Sequence, residues 1–297
     1  MNATPKSTAA SFDALSLSSP VNKSIGSIVS EANNLSPEQV ETILEHQRQT
    51  GLRFGEAGVA LGILKPRDVL WALAQQFSYP YVQSSSSAVS TELVTACDPF
   101  SAAAESFRDI RSQIMQTNAE TGHGRRALAI LSPAGGDGRT YCAANLAVTF
   151  SQLGARTILV DADMRNPGLH RLFNLEAKSG LSSVLAGRGE ANVIQPIKAF
   201  ENLFVLPVGI APPNPLELVQ GRTFSQLMLD LVLRFDQVIV DTPAFNRGAD
   251  AKVIARQCGE ALVIARPGVS RMSELQEIAQ TLNKPNFAVH GIVTNKY

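Results

Sequence analysis

The sequence lacks the features that would let it work through bulk charge, disulfides or a bilayer-spanning segment. Its 26 basic and 26 acidic residues cancel to a formal net charge of zero. That argues against a nucleic-acid binder acting through its overall field. The cysteines, Cys97, Cys142 and Cys258, are far apart and number only 3. Such usage fits reduced thiols in a cytoplasmic protein better than a disulfide framework. No run approaches the roughly 18 consecutive apolar residues of a transmembrane helix. The Ser- and Ala-rich start has no apolar core of the kind a secretory signal needs. Any membrane role is therefore expected to come through a partner.

What remains is an ordinary globular composition, 44% hydrophobic and 18% charged, in 297 residues, room for one large or two unequal domains. Residues 1–23 are polar, Ser-rich and without period, and are expected to form a disordered tail. Residues 24–82 read as a small, mainly α-helical domain. In SPEQVETILEHQ, Ser36 caps a helix with Pro37 at its first position, and Val40, Ile43 and Leu44 share one face. KPRDVLWALAQQ repeats the plan with Pro66, Val69, Leu70 and Leu73. The two segments, 24–47 and 53–76, align throughout: Gly26 with Gly55, Leu35 with Leu64, Pro37 with Pro66 and Gln47 with Gln76. A Ser-rich linker is expected over 83–99.

The pattern changes over 100–297. Short apolar runs at 127–131, 157–160, 203–208, 237–240, 261–265 and 288–294 alternate with helical segments. They lack polar alternation, as strands buried on both faces do. The expectation is an α/β fold with a doubly wound, mostly parallel sheet.

Three stretches carry chemistry. In AILSPAGGDGRT a strand runs through Gly135, Gly136, Asp137 and Gly138 into a helix starting at Arg139 and Thr140. Glycines let backbone N–H groups turn inward on phosphate oxygens, and the helix points its positive end at them. Thr140 can place a hydroxyl on Mg²⁺. ILVDADMR (158–165) ends a strand in Asp161 and Asp163, which alternation puts on one side of its tip. VIVDTP (238–243) ends another strand in Asp241. Parallel strands finish at one edge, where ligands of such sheets bind. Carboxylates gathered there repel one another unless a divalent cation joins them.

Together these stretches resemble the bacterial tyrosine kinases of capsule and exopolysaccharide systems, whose fold is of the P-loop NTPase type. The family's Walker A loop, hhhDxDxR motif and hhhDxP motif match 132–140, 158–165 and 238–243. Its ExxRxxR helix matches Glu105, Arg108 and Arg111, and PPNPLEL (212–218) also looks like the family. Gly138-Arg139 in place of Gly-Lys is most similar to the EpsG-type proteins linked to chain-length determinants.

The resemblance implies protein-tyrosine autokinase activity with ATP and Mg²⁺. Thr140, Asp161 and Asp241 would organise the metal. Asp161 or Asp163 would orient or deprotonate the acceptor tyrosine. Arg165 would stabilise phosphate charge or join an Asp, and Arg139 would meet phosphate. Tyr141 would pack or lie near the nucleotide, and Asn295 would contact adenine or close a turn. Glu105, Arg108 and Arg111 would build a homo-oligomer. Tyr297 is the terminal phosphoacceptor candidate, without the family's usual tyrosine cluster; Tyr79 and Tyr81 are expected in the first domain's core. The implied partner is a membrane chain-length determinant (polysaccharide co-polymerase), which would recruit a cytoplasmic protein to the inner membrane. Arginine is longer and forked where lysine is a compact charge, so binding should survive the exchange better than transfer. A nucleotide switch of weak or no catalysis in the same system, and a ParA/MinD-type ATPase, stay open beside this reading.

The helical repeat resembles the N-terminal domain of type II secretion and type IV pilus ATPases, which can bind cyclic-di-GMP. That makes Arg53, Gly55 and Gln76 candidate contacts. The first copy departs, with Ser24 for Arg and Asn33 for Gly. Apolar spacing of this kind more often builds a core than a ligand site, so protein docking is the preferred reading for this domain, with cyclic-di-GMP beside it.

Overall fold

The computed structural model describes residues 24–76, 89–121, 125–188 and 192–296. The expected tail at 1–23 and Tyr79, Tyr81 and Tyr297 lie outside the described residues. The chain divides into two compact units, Met1–Ser78 and Tyr79–Tyr297.

The first unit holds helices α1 (Ile25–Ala32), α2 (Pro37–Thr50), α3 (Phe54–Ala60) and α4 (Pro66–Gln76). Ser36 caps α2 as expected: its Oγ accepts from the Gln39 N–H at 3.2 Å, and Gln39 Oε1 accepts from the Ser36 N–H at 2.9 Å. Gly51 ends the helix at φ 74°. Val29, Ile43, Ala57, Leu64 and Ala72 form the core. In α4 the expected face is only partly inside. Ala72 and Ala74 are buried, whereas Val69, Leu70 and Leu73 are half-buried. A unit this small has too little interior to cover every large side chain.

The second unit begins, among the described residues, with α5 (Val94–Cys97) and α6 (Ala102–Thr121). Here the linker expectation fails in part. Leu93 and Ala96 are fully buried, and the Thr95 N–H donates to Asn145 Oδ1 at 3.0 Å. Composition marked the serines, but the apolar residues after them dock on the domain.

The strands are β1 (Ala127–Leu131), β2 (Thr157–Asp161), β3 (Gln195–Pro196), β4 (Leu203–Leu206), β5 (Gln237–Asp241), β6 (Gly259–Ala265) and β7 (Ala288–Thr294). They form one sheet in the order β3-β4-β2-β5-β1-β6-β7, parallel except for β3 against β4. The helices that follow are α7 (Arg139–Gln152), α8 (Leu169–Leu172), α9 (Leu181–Leu185), α10 (Pro215–Gln220), α11 (Arg222–Arg234), α12 (Asp250–Cys258) and α13 (Met272–Leu282), with a 3₁₀ turn at Phe245–Arg247. Alternation divides β1, β2, β4, β5 and β6 between two hydrophobic clusters. In β1, Ala127, Ala129 and Leu131 join one cluster, and Leu128 and Ile130 the other. All six expected runs are strands. The two-residue β3 was not expected; its proline confines it to an edge.

Candidate functional site

The loop after β1 forms a cradle because its backbone donors are left unused. None of the N–H groups from Gly135 to Thr140 donates to a protein acceptor among the described residues. Gly136 and Gly138 have φ 84° and 99°, which L side chains rarely adopt. A Cβ on Gly138 would lie 2.2 Å from Asn295 Nδ2. That amide donates to the Asp137 carbonyl at 3.0 Å, and the Asn295 N–H donates to the Ala265 carbonyl at 2.8 Å. Asn295 thus braces the loop from the end of β7. Asp137 Oδ2 accepts from the Ala134 N–H at 2.9 Å and closes the loop's first turn.

The carboxylates converge as the motifs implied. β5 lies between β2 and β1, Asp161 pairs in register with Asp241, and Asp241 pairs with Ile130, just before the loop. Asp161 accepts from the N–H groups of Gly168 and Leu169, each at 3.1 Å, and of Asp163 at 3.3 Å. Its pKa is still pushed well up, by burial first and the Asp241 charge second. Asp241 is raised to about 7, mainly by burial, with the nearby Thr140 hydroxyl and the Arg139 charge opposing the rise. Neither Asp241 oxygen finds a hydrogen-bond partner of good geometry. Burial also raises Asp163, partly offset by N–H bonds from Asn166 and Arg165 and by the Arg139 charge.

Among the described residues no three His, Cys, Asp or Glu side chains converge as a ready-made metal cage. Magnesium does not require one, because it usually takes one or two carboxylates plus substrate phosphates. Two paired carboxylates, one with both oxygens orphaned, beside a threonine hydroxyl fit that ion.

The expected arginines of this unit all take protein partners, and Arg165 follows the second of its two expected roles. Arg139 is only 7% exposed; it lines the cavity over the loop, yet most of its guanidinium is engaged by the protein. Nε donates to the Thr242 carbonyl at 2.8 Å, and Nη1 donates to the Ala134 carbonyl at 2.6 Å and to Ser132 Oγ. Nη2 lies 3.9 Å from Asp163 Oδ2. Arg165 joins an aspartate: Nε and Nη2 reach Asp250 Oδ2 and Oδ1 at 3.1 and 3.2 Å, clasping the residues after β2 to the start of α12. In α6, Arg108 bonds Glu105 and the Pro99 carbonyl, and Arg111 donates to the Thr149 carbonyl at 2.7 Å. Tyr141 stands edge-on to Phe107 at 5.7 Å. With Ile110, Ile264, Val293 and Asn295 they line a largely apolar cavity of about 410 Å³. A second cavity of about 290 Å³ lies over the loop, lined by Gly135, Gly136, Thr140, Asp163 and Arg247 among others. Arg247 was missed by the sequence reading; the basic residue close behind the VIVDTP motif was its only signal.

In the helical unit Arg53 and Gln76 are exposed and Gly55 is buried. A Cβ on Gly55 would meet Val69 Cγ1 at 2.5 Å, so this glycine serves the approach of α3 to α4.

A glycine loop between strand and helix, with aspartates ending the neighbouring strands, defines a P-loop NTPase. A family model described as "ParA: NUBPL iron-transfer P-loop NTPase" matches residues 124–296. CapB of Staphylococcus aureus, named as a candidate tyrosine-protein kinase, is 35% identical over 198 residues, which is 67% of this chain and 86% of CapB. The tyrosine-protein kinase Wzc of Salmonella typhimurium is 31% identical over 69% of this chain, but this chain spans only 28% of Wzc. Among solved structures, the kinase domain of the Escherichia coli tyrosine kinase Etk superposes with a TM-score of 0.64 at 31% identity, covering 68% of this chain and 79% of that domain. The chain belongs to the bacterial tyrosine-protein kinases within the P-loop NTPases. No helix among the described residues is long and apolar enough to cross a membrane.

Proposed function

We propose that this chain is an ATP- and magnesium-dependent protein-tyrosine autokinase that regulates exopolysaccharide polymerisation or export. One observation carries the reading: Asp161 and Asp241 meet in register beside the glycine loop, with the Asp241 oxygens buried and unpartnered. The N–H groups from Gly135 to Thr140 hold the phosphates, and the apolar cavity beside Tyr141 and Asn295 takes the base. Magnesium held by Thr140, Asp161 and Asp241 would supply charge neutralisation for the phosphates. Catalysis of this class rests on positioning and electrostatics. Asp163 orients the acceptor hydroxyl and accepts its proton as the oxygen–phosphorus bond forms and ADP leaves. Its raised pKa suits that task. Arg165, clasped to Asp250, acts as a positioning residue.

The acceptor is Tyr297 of a neighbouring copy, in a homo-oligomer that uses Glu105, Arg108 and Arg111. A membrane chain-length determinant is the partner that brings this protein to the inner membrane. The helical unit is its regulatory module, with cyclic-di-GMP as candidate ligand through Arg53 and Gln76. A second reading, a nucleotide switch without transfer, is favoured by the inward turn of Arg139. Incubation of the full chain with labelled ATP and Mg²⁺ tests the first. Phosphotyrosine is expected, reduced at least about 100-fold in Asp161→Ala and reduced in Tyr297→Phe. Equal labelling in wild type and both variants refutes the assignment, and nucleotide binding without labelling selects the switch.

A further inference from the structure

In a P-loop the residue before the threonine ordinarily supplies the positive charge that meets the outer phosphates. Here Arg139 lines the cavity over the cradle, but two of its three guanidinium nitrogens are spent on protein acceptors. Its Nε and Nη1 donate to the Thr242 and Ala134 carbonyls and to Ser132 Oγ, tying the exit of β1 to the exit of β5. A lysine carries its three donors on one atom and so cannot reproduce bonds that leave from two separate nitrogens. Only Nη2, 3.9 Å from Asp163 Oδ2, is left for a phosphate, so most of the positive charge over the outer phosphates would have to come from another residue.

Arg247 stands there. It lines the same 290 Å³ cavity as Gly135, Gly136 and Thr140. A Cβ built on Gly135 would lie 3.6 Å from Arg247 Nη2. The backbone fixes this placement. The turn carrying Arg247 donates from the Phe245 N–H to the Ser132 carbonyl at 3.0 Å and from the Asn246 N–H to the Pro133 carbonyl at 3.1 Å. The turn is therefore hydrogen-bonded to the start of the phosphate loop itself, and buried Phe245 anchors it in the core. The Arg247 side chain is exposed and makes no hydrogen bond or salt bridge among the described residues. Its charge acts on Asp163 across the cavity.

We propose that Arg247 is the phosphate-binding cation of this cradle, taking the outer phosphates of a nucleoside triphosphate, while Arg139 is a brace that shapes the loop. This rests on the nucleotide reading above. A guanidinium offers two parallel donors to a phosphate, so the exchange of position preserves charge and adds bidentate geometry.

Binding of ATP, ADP and AMP with Mg²⁺ to the purified full chain, measured by calorimetry, tests the assignment without recourse to activity. Arg247→Ala is expected to weaken ATP at least about 10-fold, ADP less and AMP least, because a charge-assisted phosphate contact is lost. The salt dependence of ATP binding should fall with it. Arg247→Lys should recover most of the loss. Arg139→Lys should lower the melting temperature yet keep the preference for ATP over AMP. Wild type binding ATP while folded Arg247→Ala binds it equally overturns this assignment alone. Loss of the ATP preference in Arg139→Lys, with Arg247→Ala unaffected, returns the role to the loop. Wild type that takes up no nucleotide overturns the nucleotide reading and this assignment together.

Discussion

Glycine does different work in the two units. In the helical unit, Gly55 and Gly58 lie in a helix against neighbours so close that a Cβ would sit 2.5 Å from Val69 and Leu64 side-chain atoms. In the P-loop unit, Gly136 and Gly138 hold backbone angles that side chains resist, and at Gly136 a Cβ would meet nothing within 4 Å. The first pair makes room for protein, whereas the second lets main-chain donors face outward. A regularly spaced glycine in a repeat therefore says little about ligands. A glycine at positive φ beside unused N–H groups says a good deal.

That contrast can be broken most sharply at Gly138. Gly138→Ala adds backbone strain to a clash with Asn295, at a cost of about 3 kcal/mol. It should also weaken nucleotide binding, read by calorimetry, while the helical unit's unfolding transition stays in place. Gly55→Ala should do the converse. Val69 is β-branched and cannot swing aside cheaply, so overpacking should cost the helical unit about 2 kcal/mol in denaturant titration. Nucleotide affinity should not move.

A third test concerns the buried carboxylate. Asp241 titrates at about 7 in the fold, above its ordinary value of 3.8. Between those values the folded chain holds a proton that the unfolded chain has released, so stability falls as pH rises through that window. Asp241→Asn should therefore raise the melting temperature of ligand-free protein by about 4 °C at pH 8, with a smaller gain at pH 5. Magnesium binding to wild type should strengthen as pH rises past about 7. An equal gain at both pH values would mean that Asp241 carries no buried charge. The smallest effect belongs to the helix start: Ser36→Ala removes one capping bond and should cost about 1 kcal/mol, confined to the helical unit.

Much of this was legible in residue order. The six apolar runs became strands, Ser36 and Pro37 opened α2, and the aspartates ending 158–161 and 238–241 met at one edge. These features are local, or follow from parallel topology. The arginines were not legible, because their partners lie far off in sequence. Arg139 answers to the Thr242 carbonyl, Arg165 to Asp250 and Arg111 to the Thr149 carbonyl. No period or spacing encodes those pairs. The packing of Leu93 and Ala96 was hidden for a related reason, since the serines before them outweighed two apolar residues in a compositional reading.

The brace from Asn295 to the Asp137 carbonyl also bears on how the site is made. The phosphate loop follows the first strand of the described sheet, and the residue that buttresses it follows the seventh. On the ribosome the glycine turn therefore emerges long before its support, and the cradle is mechanically complete only once β7 has closed the sheet. Ligand uptake by a nascent chain should accordingly switch on only after β7 has emerged, rather than grow motif by motif.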